Sequence, residues 1–353
     1  MLTDQLFTEL VKAASLAPSA DNMQPWEFRK QDNMVEVFCA KQRILPTDVN
    51  GMFTWVSIGA AIQNIVAAAA AAGFVSDVEY RTPEKIDEPA AVVRLYSGSI
   101  DGHLADWIAL RTTNRSIYDT LPLEPSVISM LTQSIQGLNA GIHWMTESSG
   151  LELMASMDAN SSFIRLEHKP LHDELFDILR FTRRQMETTR YGLDFKSLEV
   201  RSFAVFFACQ LQYWSVNRAI SRLGIGRIVA KKLASRLRKA GAICLITAKK
   251  RNPVAYMEAG RAMEQLWLAA TAKDLSIHPY GVLPQYLTKV EIEAETFLPR
   301  HVAIIRSHNK PFYSIFPEAR NEYPAIVLRV GRADKQSARS NIRLKPEQII
   351  REQ

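Results

Sequence analysis

Cysteine is scarce: the 353 residues contain three, Cys39, Cys209 and Cys244, and no two of them have C-x-x-C spacing. An odd number of scattered thiols excludes a disulfide framework and a cysteine-based metal or redox motif, and it points to reduced core residues in a cytoplasmic protein. No metal is expected. Long apolar runs are also missing. The longest, residues 58–74, is interrupted by Gln63 and Asn64 and is dominated by alanine, so it reads as a buried helix rather than a membrane span. The N-terminus carries Asp4 and Glu9 within an amphipathic pattern and no basic region leading into an apolar run, so secretion is not expected. Acids are few across residues 203–240, where Lys231, Lys232, Arg236, Arg238 and Lys239 lie among apolar residues.

The formal charge of +6 is concentrated at residues 180–190, 222–239 and 329–343. An anionic ligand, an acidic surface or nucleic acid would each account for it, and composition does not choose among them. No nucleic acid is expected as a partner. The basic stretch 222–239 is read mainly as a solvated face or the cover of an internal groove, with contact to an acidic membrane surface as the lesser reading. With 47% apolar and 23% charged residues the chain is globular, and its length suggests two core-forming units.

Periodicity gives a coarse order of elements. Leu2, Leu6, Leu10, Ala13 and Ala14 form one helical stripe, with Thr3 or Asp4 as cap. A strand is expected at 34–40, a long helix at 54–73 closed by Gly73, strands at 75–80 and 90–96, and a short helix at 101–111. Prolines introduce a helix at 121–131, and a short strand follows at 142–145. Helices are expected at 148–159 and 171–190, a buried strand at 242–248, and a helix at 256–273 that matches 54–73 in period and hints at an internal repeat. Strands are expected at 302–305 and 325–330, then a partly disordered basic tail from 333. L-G-I-G-R-I-V-A (residues 223–230) has glycines at dinucleotide-loop spacing, but a basic helix precedes it instead of a strand, so it reads as a helix break.

Two motifs carry chemistry. A-P-S-A-D-N-M-Q-P-W (residues 17–26) connects a helix to a strand, and Ser19, Asn22 and Gln24 offer donors and acceptors suited to the edge of a flat heterocycle. R-T-T-N-R (residues 111–115) offers two arginines, whose forks suit phosphate or an anionic ring edge. From residue types alone, the first is equally well a plain connection and the second a solvated i,i+4 pair.

Together they resemble the nitroreductase family. The loop looks like its flavin-edge run A-P-S-x-x-N-x-Q-P-W, which implies contacts from Pro18, Ser19, Asn22 and Gln24 to the flavin ring. R-T-T-N-R resembles the family's opening basic segment, which implies Arg111 on the FMN phosphate, Thr113 and Asn114 near the ribityl chain, and Arg115 at the N1–C2 edge. The segment 257–281 is similar to the family's long helix and the turn after it, which implies Tyr280 and Gly281 near flavin N5. L-R-V-G-R (residues 328–332) resembles its last strand and implies Arg332, with Arg329 as substitute, in the phosphate pocket. Tyr280, His278 and Tyr191 are acid–base candidates by type only.

The motifs are divided between the halves. The first lacks the basic opening, while the second reads Q-S-I-Q-G-L-N-A-G-I-H-W (residues 133–144) where its loop should be. The chain therefore resembles a tandem, Acg-type member, in which residues 171–194 would cover the flavin. That implies an α+β, nitroreductase-like fold of two tandem halves, each a mainly antiparallel sheet flanked by helices, forming an intramolecular pseudo-dimer. The expected units are 1–100, 101–332 with an insert at about 165–240, and a tail at 333–353. The resemblance implies one FMN per chain, a small-molecule substrate, and NAD(P)H as reductant, in a monomer or a further pair. A lidded flavin-sequestering or sensor protein and a flavin-free pseudoenzyme are the other readings.

Overall fold

In the computed structural model, residues 1–83, 85, 87–198, 208–335 and 342–352 are described. The first helix, α1 (Asp4–Ser15), begins where Thr3 accepts a hydrogen bond from the Leu6 amide, and it buries Phe7, Leu10, Val11 and Ala14. The hairpin β1 (Trp26–Gln31) and β2 (Met34–Cys39) follows, then α2 (Met52–Ala71), β3 (Phe74–Tyr80) and β4 (Ala91–Ser97). No side chain at the N-cap position caps α2. Instead the Asp48 carboxylate accepts from the Phe53 amide at 2.9 Å, the Thr54 amide at 2.9 Å and the Thr54 hydroxyl at 2.8 Å. The expected helix at 101–111 is only a short 3-10 turn, His103–Trp107.

The second run of elements is α3 (Pro125–Ser134), β5 (Ala140–Met145), α4 (Ser148–Glu167), α5 (Lys169–Ile178), α6 (Arg183–Thr189), α7 (Trp214–Arg222), α8 (Ile225–Ala234), β6 (Ala242–Ala248), α9 (Pro253–Thr271), β7 (Ser276–Tyr280), α10 (Val282–Ile292), α11 (Pro299–Ile315) and β8 (Tyr323–Gly331). The glycine break between α7 and α8 is present, with Gly224 at φ +77°. The expected helix 171–190 is broken instead at Leu179–Arg180, which pairs in parallel with Leu193–Asp194. The expected strand at 302–305 lies inside α11, whose buried residues His301, Ile305, His308 and Phe312 recur at helical spacing. A short apolar run cannot reveal that period.

Two four-stranded antiparallel sheets result, ordered β1-β2-β4-β3 and β5-β6-β8-β7. The order is the same, and so is the placement of α1 and α3 before the first strand and of α2 and α9 after the second. One continuous core joins α1, α2 and α9 to both sheets, and a second packs α4, α10 and α11 on the far side of β5–β8. Residues 49–71 are long and apolar enough to cross a membrane by composition, yet α2 is largely buried in this core.

α2 and α9 touch backbone to backbone. A Cβ on Gly59 would lie 2.0 Å from the Met257 carbonyl oxygen, and one on Gly260 would lie 2.0 Å from the Val56 oxygen. Gly59 stands three residues after Val56 as Gly260 stands three after Met257, so the contact is reciprocal. The tail is not loose over its described part. The Phe28 amide donates to Ile349 O at 2.7 Å, the Arg351 amide donates to Phe28 O at 2.7 Å, and Ile349 is fully buried. Residues 336–341 of the expected disordered tail lie outside the described residues.

Candidate functional site

Strain marks the loop after α1. Asp21, Asn22 and Gln24 have φ of 47°, 57° and 53°, left-handed values that side chains adopt only when surroundings impose them. Ser19 Oγ accepts from the Gln24 amide at 3.0 Å. Asn22 Nδ2 donates to Gly192 O at 3.1 Å and to Ile342 O at 3.3 Å, and Asn22 Oδ1 accepts from Arg343 at 2.9 Å. Gln24 Nε2 donates to Arg190 O at 2.9 Å, and its Oε1 accepts from the Leu344 amide at 2.8 Å. The side chains expected at a ring edge are therefore gathered, with half-buried Pro18 beside them. Their hydrogen-bonding groups are engaged by the chain's own backbone at 190–192 and 342–344.

A second cluster forms where 111–116 lies along β7. Thr113 bridges to Ile277, and Asn114 donates to Ser276 Oγ at 3.1 Å and to Lys335 O at 2.9 Å. Arg329 is completely buried. It donates to Arg236 O at 3.0 Å and Ser116 O at 2.8 Å, and its guanidinium stacks 3.7 Å from the Tyr118 ring centre. Arg115 donates to Ser197 O at 3.3 Å and Arg236 to Leu198 O at 3.4 Å. Burial, then the neighbouring charges of Arg115, Arg329 and Arg236, hold His278 well below its ordinary range, so its imidazole is neutral. The His278 and Tyr280 rings lie 4.4 Å apart, and burial pushes the Tyr280 phenol up. Gly281 has no room for a side chain, because a Cβ would meet the Phe53 ring at 2.6 Å.

The strap 190–198 connects the two clusters. Its first residues bond Asn22 and Gln24, and Ser197 and Leu198 at its end accept from Arg115 and Arg236. Tyr191 lies in it, with the Arg180 guanidinium 5.5 Å from its ring centre. Gly192, at φ +91°, passes where a Cβ would meet Ile178 O at 2.5 Å.

Arg111, expected on a phosphate, is engaged by groups of the chain itself. It is buried, its Nε 3.1 Å from Glu264 Oε1, its Nη2 donating to Leu16 O at 2.7 Å, and its guanidinium 4.6 Å over the Trp267 ring. A guanidinium so engaged presents no open fork to a phosphate. Burial pushes Glu264 up to about 7 against the pull of Arg111 and Arg343. Burial likewise pushes Arg343 down to about 10, helped by the charge of Arg111. Arg343 thus stands between Asn22 and the Arg111–Glu264 pair. Arg332 is exposed, and its backbone oxygen accepts from the Asp119 amide.

Sequence reasoning missed Arg236, Arg343, Glu264 and the Ser197 carbonyl. A lone acid inside the apolar face of α9 was a usable signal for Glu264; nothing local marks Arg343, whose partner Asn22 is 321 residues away. His168 and His172 stand at i,i+4, a spacing that can hold a metal. His172 instead contacts Leu211 O at 2.8 Å and Asp173 at 3.0 Å, and no group of three potential ligands is found among the described residues. A cleft of about 530 Å³ lies elsewhere, between the starts of α5 and α11 and the side of α7.

No family model matches the chain. An uncharacterized protein of Mycobacterium tuberculosis is 22% identical over 339 residues, covering 95% of this chain and 47% of that protein. The protein acg of the same organism, named as a proposed NAD(P)H nitroreductase, is 32% identical over 188 residues, 50% of this chain and 54% of acg. Over half of its length the chain is thus similar in sequence to a protein named for nitroreductase activity. The chain spans about half the length of the curated proteins it matches. Among solved structures, a nitroreductase with bound FMN from Desulfitobacterium hafniense is 13% identical, covering 68% of this chain and 94% of its own, with a TM-score of 0.35. The FMN-dependent nitroreductase NfnB of Mycobacterium smegmatis, in complex with NADPH, is 11% identical over 68% and 95%, with a TM-score of 0.36.

Proposed function

We propose that the chain is an FMN-binding oxidoreductase with one composite site, held between the loop 17–26 and the cationic cluster around Arg115. The observation that carries this reading is the convergence of both clusters on one strap. Four buried polar atoms in and beside them, His278 Nδ1, Tyr280 Oη, Arg329 Nε and Arg343 Nε, lack a hydrogen-bond partner among the described residues. Buried polar groups are rarely left so, and a polar, anionic ligand between them would supply the missing partners. The donor set therefore fits FMN. When bound, FMN supplies hydride acceptance and donation at N5, between a reduced nicotinamide or organic substrate and an acceptor.

Each group of residues then has a task. Ser19, Asn22 and Gln24 would hold the ring edge, exchanging their bonds to 190–192 and 342–344 for bonds to the ligand. Arg115, Arg236 and Arg329 would supply positive charge, Thr113 and Asn114 would line the chain between the two ends, and neutral His278 would accept or donate a hydrogen bond. Arg111 would act behind them, by fixing Glu264 and Arg343.

The reciprocal approach of Gly59 and Gly260, together with the repeated sheet order, supports a fused pseudo-dimer, since an isologous twofold contact has this form. A single site is supported by the connections. Ten residues, 16–25, link α1 to β1, while five, 135–139, link α3 to β5. The shorter one has no length for a second ring-edge loop. Purified protein should absorb in the blue and hold close to one FMN per chain; two per chain would refute the composite site.

The strap and tail, bonded to both ring-edge amides, favour a second reading, in which a closed site sequesters flavin. Anaerobic mixing with NADH or NADPH separates the two: prompt bleaching supports the reductase, and persistent oxidised flavin supports sequestration.

A further inference from the structure

The insert between β5 and β6 carries a surface that the flavin reading does not use. α8 lies against α4 through Gly226, Ala230 and Ala234, all buried, so its small residues face inward. Its large apolar residues face outward: Ile225, Ile228, Val229 and Leu233, spaced i, i+3, i+4 and i+8, are 42%, 66%, 38% and 41% exposed, and Leu223 just before them is 76% exposed. An ordinary surface helix is oriented the other way, with its apolar stripe on the core. Five large aliphatic side chains exposed within eleven residues form a contiguous patch of the kind that marks an interaction site.

Charge indicates what covers it. Arg222 at the end of α7 and Lys231 and Lys232 on α8 are exposed, and no Asp or Glu occurs between Val200 and Met257. A protein partner is held mainly by aromatic and arginine anchors seated in pockets. Here the exposed residues are aliphatic, with Lys232 among them at i+4 from Ile228 and Lys231 beside them, the composition of a helix lying in a bilayer interface with its lysines reaching to the headgroups.

We propose that α8 docks this chain on an anionic lipid bilayer, lying in the interface plane with Leu223, Ile225, Ile228, Val229 and Leu233 at the acyl boundary and Arg222, Lys231 and Lys232 among the headgroups. Neither FMN nor the pseudo-dimer enters this inference, so it stands or falls separately from the proposed activity.

The test is co-sedimentation of the full chain with phosphatidylcholine vesicles, with and without phosphatidylglycerol, at low and high salt. Binding is expected only to the anionic vesicles, and it should weaken with salt. Each Lys→Gln change at 231 or 232 should lower the partition coefficient about fivefold, the factor equivalent to roughly 1 kcal/mol per cation near such a surface. Ile228→Glu combined with Leu233→Glu should lower it more than tenfold while leaving the thermal unfolding midpoint unchanged, because both side chains are already solvent-exposed. Failure to pellet with anionic vesicles overturns the proposal, as does equal binding by wild type and the double variant. Self-association in gel filtration that the same double variant abolishes, without vesicle binding, assigns the face to a second copy and likewise overturns it.

Discussion

Replacing Arg111 with methionine leaves Glu264 buried without its cation, and this one change separates two roles for the arginine. Both side chains are almost wholly inaccessible, 3% and 0% exposed, so no solvent is at hand to take over the lost partner. Breaking such a pair from one side typically costs about 3–5 kcal/mol, a large share of the 5–15 kcal/mol that holds a domain folded. Methionine keeps the bulk over Trp267, so the loss is chiefly electrostatic. The double change Arg111→Met with Glu264→Gln removes both charges and should restore most of the stability. Acidity sharpens the test. Burial raises the Glu264 carboxyl from 4.5 to about 7, so the folded chain holds that proton more tightly than the unfolded chain does. The stability linked to it is complete below about 4.5 and is lost as pH rises through about 7. Without Arg111 the carboxyl is pushed higher still, so the penalty should be small at pH 5 and grow by up to about 1.4 kcal/mol per pH unit above about 7, which makes it roughly 1.4 kcal/mol at pH 8 and larger at higher pH. Guanidinium unfolding of flavin-free protein, followed by tryptophan fluorescence at both pH values, reads this directly. A methionine variant as stable as wild type at both pH values, with FMN affinity reduced, would refute the pairing and return Arg111 to the phosphate.

Three other outcomes follow from the geometry. Gly59→Ala and Gly260→Ala should each destabilise by about 1–3 kcal/mol or more and by similar amounts, because each Cβ would meet a carbonyl oxygen 2.0 Å away in a backbone seam; calorimetry showing no loss for either would mean that the helices do not cross this closely. Arg115→Ala should weaken FMN binding by about 1.5–3 kcal/mol in a flavin-fluorescence titration, whereas exposed Arg332→Ala should leave it unchanged; the reverse order would relocate the anionic end of the site. Ending the chain after Lys335 frees Asn22 Oδ1 and Gln24 Oε1 from Arg343 and Leu344, so FMN should associate faster in stopped flow, and an unchanged rate would exclude the tail as a competitor.

How much of this was legible depended on how local the cause was. The cap at Thr3, the alternation of 34–39 and the apolar strand 242–248 are set by neighbouring residues, and each element lies where its pattern places it. The loop motif was legible as a motif, but not its strain or its partners at 190–192 and 342–344, which arrive from far along the chain. Arg111 shows the limit from the other side. Its motif named an anion partner, and the structure supplies one, Glu264, from a helix about 150 residues later. Residue type predicts that an arginine will find an anion and says nothing of whether the anion is a ligand or a carboxylate. The orientation of α8 was illegible for a similar reason: apolar and small residues share the helix, and only packing against α4 decides which of them are covered.

The place of the insertion connects these observations. In the first sheet the turn between β1 and β2 is Asp32–Asn33, while the equivalent gap between β5 and β6 holds residues 146–241. A hairpin turn projects from the end of a sheet, away from the seam where Gly59 and Gly260 meet, so a long segment can be added there at little cost to the central crossing. Once present, the segment is long enough to reach back to the other half. Arg190 and Gly192 close over Gln24 and Asn22, while Ser197 and Leu198 remain with Arg115 and Arg236 in the second half. The loop at 17–26 is therefore covered by a segment inserted into the second run of elements. If the chain is the fused pseudo-dimer proposed above, one such insertion suffices where a symmetric dimer would have to build the cover twice.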